Sequence, residues 1–212
     1  MKIIAITGGV ASGKNLVAKI FEKFGAKTFD ADDEVHKLLK SDLETINQIS
    51  KIFPQTKINN QISREILGKI VFENKQNLKV LEQIIHPLIR QKYQDFIDYN
   101  QINDQKIVIL NIPLLLENQA QGFKYFYDYL VTIKCDKKTR KQRFIARYKK
   151  HILNNNPNPE IDDLQIEKRF EEIVKIQIDD ETRLAKSDFV IDNNSDAHFA
   201  EFQVKKILNQ IL

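Results

Sequence analysis

The chain has 212 residues, 29% of them charged and 42% hydrophobic. That is enough to bury a core as one domain with insertions or as two small ones, in an ordinary globular composition. Its net charge of +4 suits small anions and is too small and dispersed to demand nucleic acid. The one cysteine, Cys135, excludes internal disulfides and cysteine-based zinc sites and fits a reducing cytosol.

An apolar run opens the chain and predicts a buried strand over Lys2–Thr7. It leads into Gly8-Gly9-Val10-Ala11-Ser12-Gly13-Lys14-Asn15-Leu16 and an amphipathic helix over Lys14–Phe24, closed by Gly25. Gly8 and Gly13-Lys14 stand at the spacing of a phosphate-cradling P-loop. Such a loop turns backbone N–H groups toward one anion at the positive end of a helix dipole, and its glycines permit close phosphate approach. Lys14 is then placed to reach the β and γ phosphates of a nucleoside triphosphate. The last motif position, usually Ser or Thr for Mg²⁺, is Asn15. An amide oxygen can still face Mg²⁺, so weaker or differently arranged metal binding is expected.

Further strands are expected at Lys27–Asp30, Lys106–Ile112, Tyr129–Lys134 and Asp188–Ile191. Helices are expected at Asp33–Lys40, Arg64–Phe72, Asn74–Ile85, Pro87–Tyr99, Lys138–Lys149, Glu160–Ile178 and Ala197–Leu212. Alternating short apolar strands and amphipathic helices predict an α/β fold, a parallel sheet of about five strands flanked by helices. Two helical excursions interrupt the alternation, Glu34–Asn100, with a polar turn at Gln55–Gln61, and Arg140–Lys186. The second is split by a polar, proline-punctuated loop, Asn154–Pro159. Few apolar residues in Thr139–Lys150 predict a largely exposed helix. No secretory signal or membrane span is expected. The first apolar run is short and broken by Gly8-Gly9, and Ile107–Leu116 is about half a bilayer span and contains Asn111 and Pro113.

Asp30-Ala31-Asp32 follows the second strand, where ligands of open α/β sheets bind. An aspartate there can accept a hydroxyl proton, hold Mg²⁺ through water, or cap the next helix. Arg143 and Arg147 share a helix face suited to phosphate oxygens, or to a solvated basic face. The lysines crowding that segment, Lys137, Lys138, Lys141, Lys149 and Lys150, with Arg140 among them, read as a solvated charge run. His86-Pro87 reads as a boundary between two helices with a packed imidazole. Glu117 stands at the functional edge of the sheet or merely ends an apolar run. His36, His151 and His198 show no metal spacing.

Together these segments resemble the dephospho-CoA kinase family. The resemblance rests on Thr7–Lys14, Asp30-Ala31-Asp32, Arg64 before Leu67-Gly68 and Ile70-Val71-Phe72, and His86-Pro87. It continues through Pro113-Leu114-Leu115 with Glu117, Arg143 with Arg147, Gln177 and Asp188–Asn193, in order along nearly the whole chain. It implies a P-loop kinase fold with a core of residues 1–33, 101–139 and 187–212, a helical CoA-binding insertion at 34–100 and a lid at 140–186. It also implies a cytoplasmic enzyme that uses Mg²⁺ and ATP to phosphorylate the ribose 3′-hydroxyl of dephospho-CoA, as a monomer or weak homo-oligomer. Asp32, Lys14 and Arg143 would be catalytic. The loop Gly8–Leu16, Arg147 and Asn193 would bind ATP, and Thr7, Asp32, Arg64, His86, Pro113, Leu114 and Glu117 the acceptor. Asn15, and Asp32 through water, would face the metal. Arg140 stands where the family often has glutamine.

Other readings remain at this point. A different nucleoside or nucleotide kinase would share the fold and the phosphate loop. A GTPase-like switch needs Asn or Thr before Lys-x-Asp, which Ile133-Lys134-Cys135-Asp136 lacks. RNA binding through Lys134–Lys150 would be steeply salt-dependent and indifferent to ATP.

Overall fold

The computed structural model describes residues 1–120, 124–155 and 162–212, apart from the side chains of His151, Asn154 and Asn155. Its elements in chain order are β1 (Lys2–Thr7), α1 (Lys14–Lys23), β2 (Lys27–Asp30), α2 (Ala31–Ser41), α3 (Leu43–Ile52) and a 3-10 turn (Pro54–Thr56). Next come β3 (Lys57–Ile58), β4 (Gln61–Ile62), α4 (Arg64–Glu73), α5 (Lys75–Ile102), β5 (Ile107–Asn111) and α6 (Leu115–Ala120). The chain ends with β6 (Tyr129–Lys134), α7 (Lys137–Asn155), α8 (Asp163–Ile176), α9 (Asp180–Ala185), β7 (Phe189–Asp192) and α10 (Ala197–Ile211). Two compact units result, Met1–Thr28 with Gln105–Leu212, and Phe29–Asp104.

The main sheet has the order β2-β5-β1-β6-β7, and β1 pairs in parallel with both β5 and β6, as β6 does with β7. Continuous apolar runs are what a parallel sheet covered on both faces requires. All five residues of β5 are buried. On one face Ile4 and Ile6 of β1 pack with Ile109, Val131, Ile133 and Ile191, covered by Val17, Ile20 and Phe21 of α1 and Val204 and Ile207 of α10. Gly25 does end α1: at φ +88° it lets its own N–H reach the Glu22 carbonyl (2.9 Å) and that of Ala26 the Phe21 carbonyl (3.2 Å), a Schellman closure.

α7 and α8 form an apolar contact, Phe144 against Ile166 and Phe170, flanked by the ion pairs Lys137–Glu171, Lys141–Glu167 and Lys149–Asp163. The expected exposed helix therefore has a buried stripe. Helix α7 runs through Asn155, and residues 156–159 of the expected loop lie outside the described residues. The expected single helix to Ile178 instead stops at Ile176, and Asp179 starts α9 by accepting from the Thr182 N–H at 2.7 Å.

In the second unit, Asn59 and Asn60 lie at φ +49° and +61° and close the hairpin β3–β4, the left-handed pair a two-residue turn needs. These strands are too short to leave a periodicity in the sequence. The expected break at His86-Pro87 is corrected: α5 is one helix with Pro87 inside it. Ile85, Ile89, Tyr93 and Ile97 keep one buried stripe running past the proline, and that packing outweighs the single helix hydrogen bond Pro87 cannot donate.

A Cβ at Gly25 would meet no atom within 4 Å, so Gly25→Ala isolates the conformational cost. It is expected to lower stability by about 1 kcal/mol, read as a shift of the urea midpoint at unchanged slope.

Candidate active site

The phosphate loop joins β1 to α1, and neighbouring side chains hold its shape. Gly13 is the N-cap of α1 at φ +99°, with no side-chain cap hydrogen bond. By contrast, α2, α3, α4, α5, α8, α9 and α10 are each capped by a side-chain oxygen. The first turn of α1 carries no acidic residue either, so its N–H groups and dipole are offered to an external anion. Lys14 donates from Nζ to the Gly8 carbonyl at 2.9 Å, which places its ammonium over the loop. Ala11 takes φ +59°, and Val10 and Ala11 pack against the α7–α8 cluster.

Three distant residues fix that loop. Gln177 accepts the Val10 N–H through Oε1 at 2.9 Å. Asn193, 1% exposed just after β7, donates from Nδ2 to the Ser12 carbonyl at 2.7 Å and occupies the space a Cβ on Gly13 would need. Arg140 is 5% exposed, and its guanidinium fills the corresponding space beside Gly9. Arg140 is thus no member of a solvated basic face. Its Nη2 donates to Asp180 at 2.8 Å, and the other Asp180 oxygen takes Nη1 of Arg183 at 2.6 Å. Arg183 also donates to the Ile178 carbonyl and faces Glu117 at 3.7 Å.

The remaining sequence-predicted residues fall as follows. Arg143 donates to the Asn193 carbonyl at 3.0 Å and to Cys135 Sγ at 3.5 Å, whereas Arg147 is exposed with its guanidinium 5.8 Å from the Phe144 ring centre. Burial pushes the Cys135 thiol up, against the pull of both Arg143 and Arg140. Glu117 is turned inward, its Oε1 accepting the Ile178 N–H at 2.7 Å. Thr7 is buried at the end of β1. Pro113 and Leu114 form the turn after β5, with Leu114 left-handed at φ +53°, a conformation a leucine holds only under constraint. Asn15 and Leu16 are exposed on the first turn of α1. Asn15 Oδ1 accepts from Nδ2 of Asn111 at 3.0 Å.

In the second unit, Asp30 caps α2 by accepting the N–H groups of Asp32 and Asp33 at 3.0 and 3.2 Å. Asp32 is therefore not the cap; its side chain is exposed on the first turn. Arg64 opens α4 beside Nδ1 of His36, 3.4 Å away, a pairing no sequence spacing announced. Burial pushes the His86 imidazole below the ordinary histidine range, Arg90 adding to this and Glu82 opposing it.

The sequence profile of the dephospho-CoA kinase family matches residues 2–198. The chain belongs to that family. A Bartonella henselae dephospho-CoA kinase is 34% identical over 212 residues, covering all of this chain and 99% of its own length. An Agrobacterium fabrum dephospho-CoA kinase is 31% identical and likewise covers all of this chain and 98% of its own length. Among solved structures, dephospho-CoA kinase from Campylobacter jejuni superposes with a TM-score of 0.65 at 25% identity, spanning all of this chain and 98% of that one. The chain is thus a kinase of the family that carries out the ATP-dependent last step of CoA biosynthesis.

Two outcomes are expected from this arrangement. Arg183, 2% exposed, neutralises two carboxylates, so Arg183→Met is expected to cost about 3 kcal/mol of stability in a urea titration. A depressed His86 pKa means the unfolded chain binds more protons below pH about 6.5. Stability therefore falls as pH drops through that value, and His86→Gln is expected to flatten this part of the profile.

Proposed function

We propose that the chain transfers the γ-phosphoryl group of ATP to the ribose 3′-hydroxyl of dephospho-CoA. The acceptor oxygen forms the new bond to phosphorus, the bond from phosphorus to the bridging oxygen of ADP breaks, and Asp32 takes up or orients the hydroxyl proton. The observation that supports this most is the uncapped first turn of α1 behind Gly13, with the Lys14 ammonium over the loop. Loop N–H groups and Lys14 then hold the β and γ phosphates and stabilise charge as it moves to the leaving oxygen. Arg143 and Arg147 face the phosphates from a lid spanning residues 140–186. The residues assigned to acceptor binding are Thr7, Pro113 and Leu114 in the first unit and Arg64 and His86 in the second. Glu117 and Asn193 act through position, Glu117 by fixing Ile178 and Asn193 by fixing Ser12.

The donor set suits Mg²⁺ entering with ATP. Asn15 Oδ1 is a neutral hard oxygen with a second lone pair beyond the one that meets Asn111, and Asp32 could add a contact through water. When bound, the ion neutralises triphosphate charge. The single buried, unpaired Cys135 suits a cytoplasmic setting. Among the described residues no helix is long and apolar enough to cross a membrane.

Incubation with ATP, Mg²⁺ and dephospho-CoA, beside AMP, CMP and uridine, is expected to give CoA alone by mass. Phosphorylation of one of the other acceptors in its place would favour a different P-loop kinase. Lys14→Ala and Asp32→Asn are each expected to lower kcat by at least about a hundredfold with unchanged circular dichroism. Near-normal turnover of Asp32→Asn would remove its assigned role.

A further inference from the structure

In the second unit, Arg64 is a cation in a place that local electrostatics disfavours. It is the first residue of α4, where the helix dipole is positive and acids are the favoured neighbours. The nearby cations on α2 and α4 have counter-charges, for Lys37 pairs with Glu34 and Lys69 with Glu65. Arg64 has no carboxylate partner among the described residues and meets the His36 imidazole instead, Nη1 lying 3.4 Å from Nδ1. A guanidinium only donates, so Nδ1 accepts and the proton of the neutral ring sits on Nε2. The exposed pair therefore presents N–H donors and a permanent positive charge to solvent. His36 stands four residues after Asp32 on α2, hence on the same helix face and one turn, about 5.4 Å, further along the axis.

We propose that His36, with Arg64, grips the diphosphate that the acceptor carries on its ribose 5′-oxygen, and so lays the sugar along α2 with its 3′-hydroxyl toward Asp32. The proposal rests on the kinase reading above and gives His36 a binding role. A ribose 5′-phosphate ester has an alcohol on one side of its ring and an anion on the other. The exposed face of α2 offers the matching order, a carboxylate for the alcohol and, one turn later, donors and charge for the anion. Planar guanidinium N–H groups and the Nε2–H suit phosphate oxygens, and hydrogen bonds to such oxygens are charge-assisted. A nucleoside without the 5′ anion loses this grip. The pair therefore separates a diphosphate-bearing acceptor from a bare nucleoside and decides which ribose oxygen stands at Asp32.

The test is steady-state kinetics of the full chain with ATP, Mg²⁺ and dephospho-CoA, product followed by mass, for wild type and three variants of this exposed histidine. His36→Gln keeps a side-chain N–H donor and is expected to raise the KM for dephospho-CoA no more than about threefold. His36→Ala removes the donor and is expected to raise it about tenfold, with an unchanged KM for ATP and a kcat within about twofold of wild type. His36→Glu separates anion binding from mere support of Arg64, because its carboxylate can pair with the guanidinium. Support alone predicts a wild-type KM for this variant, whereas the proposal predicts a rise of about a hundredfold, since a like charge then faces the diphosphate. A KM for dephospho-CoA in His36→Glu equal to that of wild type, or a KM for ATP that rises in step, overturns the proposal. Wild-type protein that forms no CoA removes the kinase reading itself, whereas CoA formation with the same acceptor KM in all four proteins removes only the role of His36.

Discussion

The space left by two missing Cβ atoms, at Gly9 and Gly13, is filled by the Arg140 guanidinium and the Asn193 carboxamide, and the phosphate loop takes its shape from that exchange of volume. A loop of glycines is otherwise the most conformationally free segment a chain can have. Here Asn193 pulls on the Ser12 carbonyl, Gln177 on the Val10 N–H, and Val10 and Ala11 rest on the α7–α8 contact. Each partner lies more than a hundred residues away in sequence. The loop is held by residues from α7, α8, the segment after α8 and the end of β7, so its preorganisation for phosphate depends on contacts across the first unit.

The arginine beside Gly9 is held in turn by a chain of charge in which both guanidiniums are buried and the Asp180 carboxylate is exposed. Two guanidiniums and two carboxylates, Arg140, Arg183, Asp180 and Glu117, pair with one another, while the Ile178 carbonyl accepts from Arg183 and the Ile178 N–H donates to Glu117. Such pairing gains little stability over an apolar replacement, but leaving a buried guanidinium unmatched is expensive. Its effect is directional: Glu117 on α6 and Asp180 on α9 fix where the 177–183 segment can sit, and with it Gln177 and the guanidinium beside the loop.

The central sheet was legible because β1, β5 and β6 are short apolar runs, largely buried and bounded by turn residues. Strands β1, β2 and β6 have the bounds expected from the sequence. The helix break at His86-Pro87 was misread because proline's local penalty is visible in sequence, whereas the packing of Ile85, Ile89 and Tyr93 that overrides it is not. The phosphate loop and Lys14 were legible from spacing alone. Choosing between Asp30 and Asp32 was not, since both are good caps; the structure gives that task to Asp30. Arg140 looked like one more cation in a basic run. Only the fold reveals that its neighbours Lys137 and Lys141 face α8 while Arg140 turns inward toward Gly9 and Asp180.

The ladder of ion pairs between α7 and α8 has a consequence of its own. Attraction between these helices comes from Phe144, Ile166 and Phe170, which salt does not weaken, while the exposed pairs flanking that contact add little and are screened within a Debye length of about 8 Å at physiological ionic strength. Brine would therefore leave the two helices adherent on their three apolar side chains, with Arg140 still tied to Asp180 from outside that ladder.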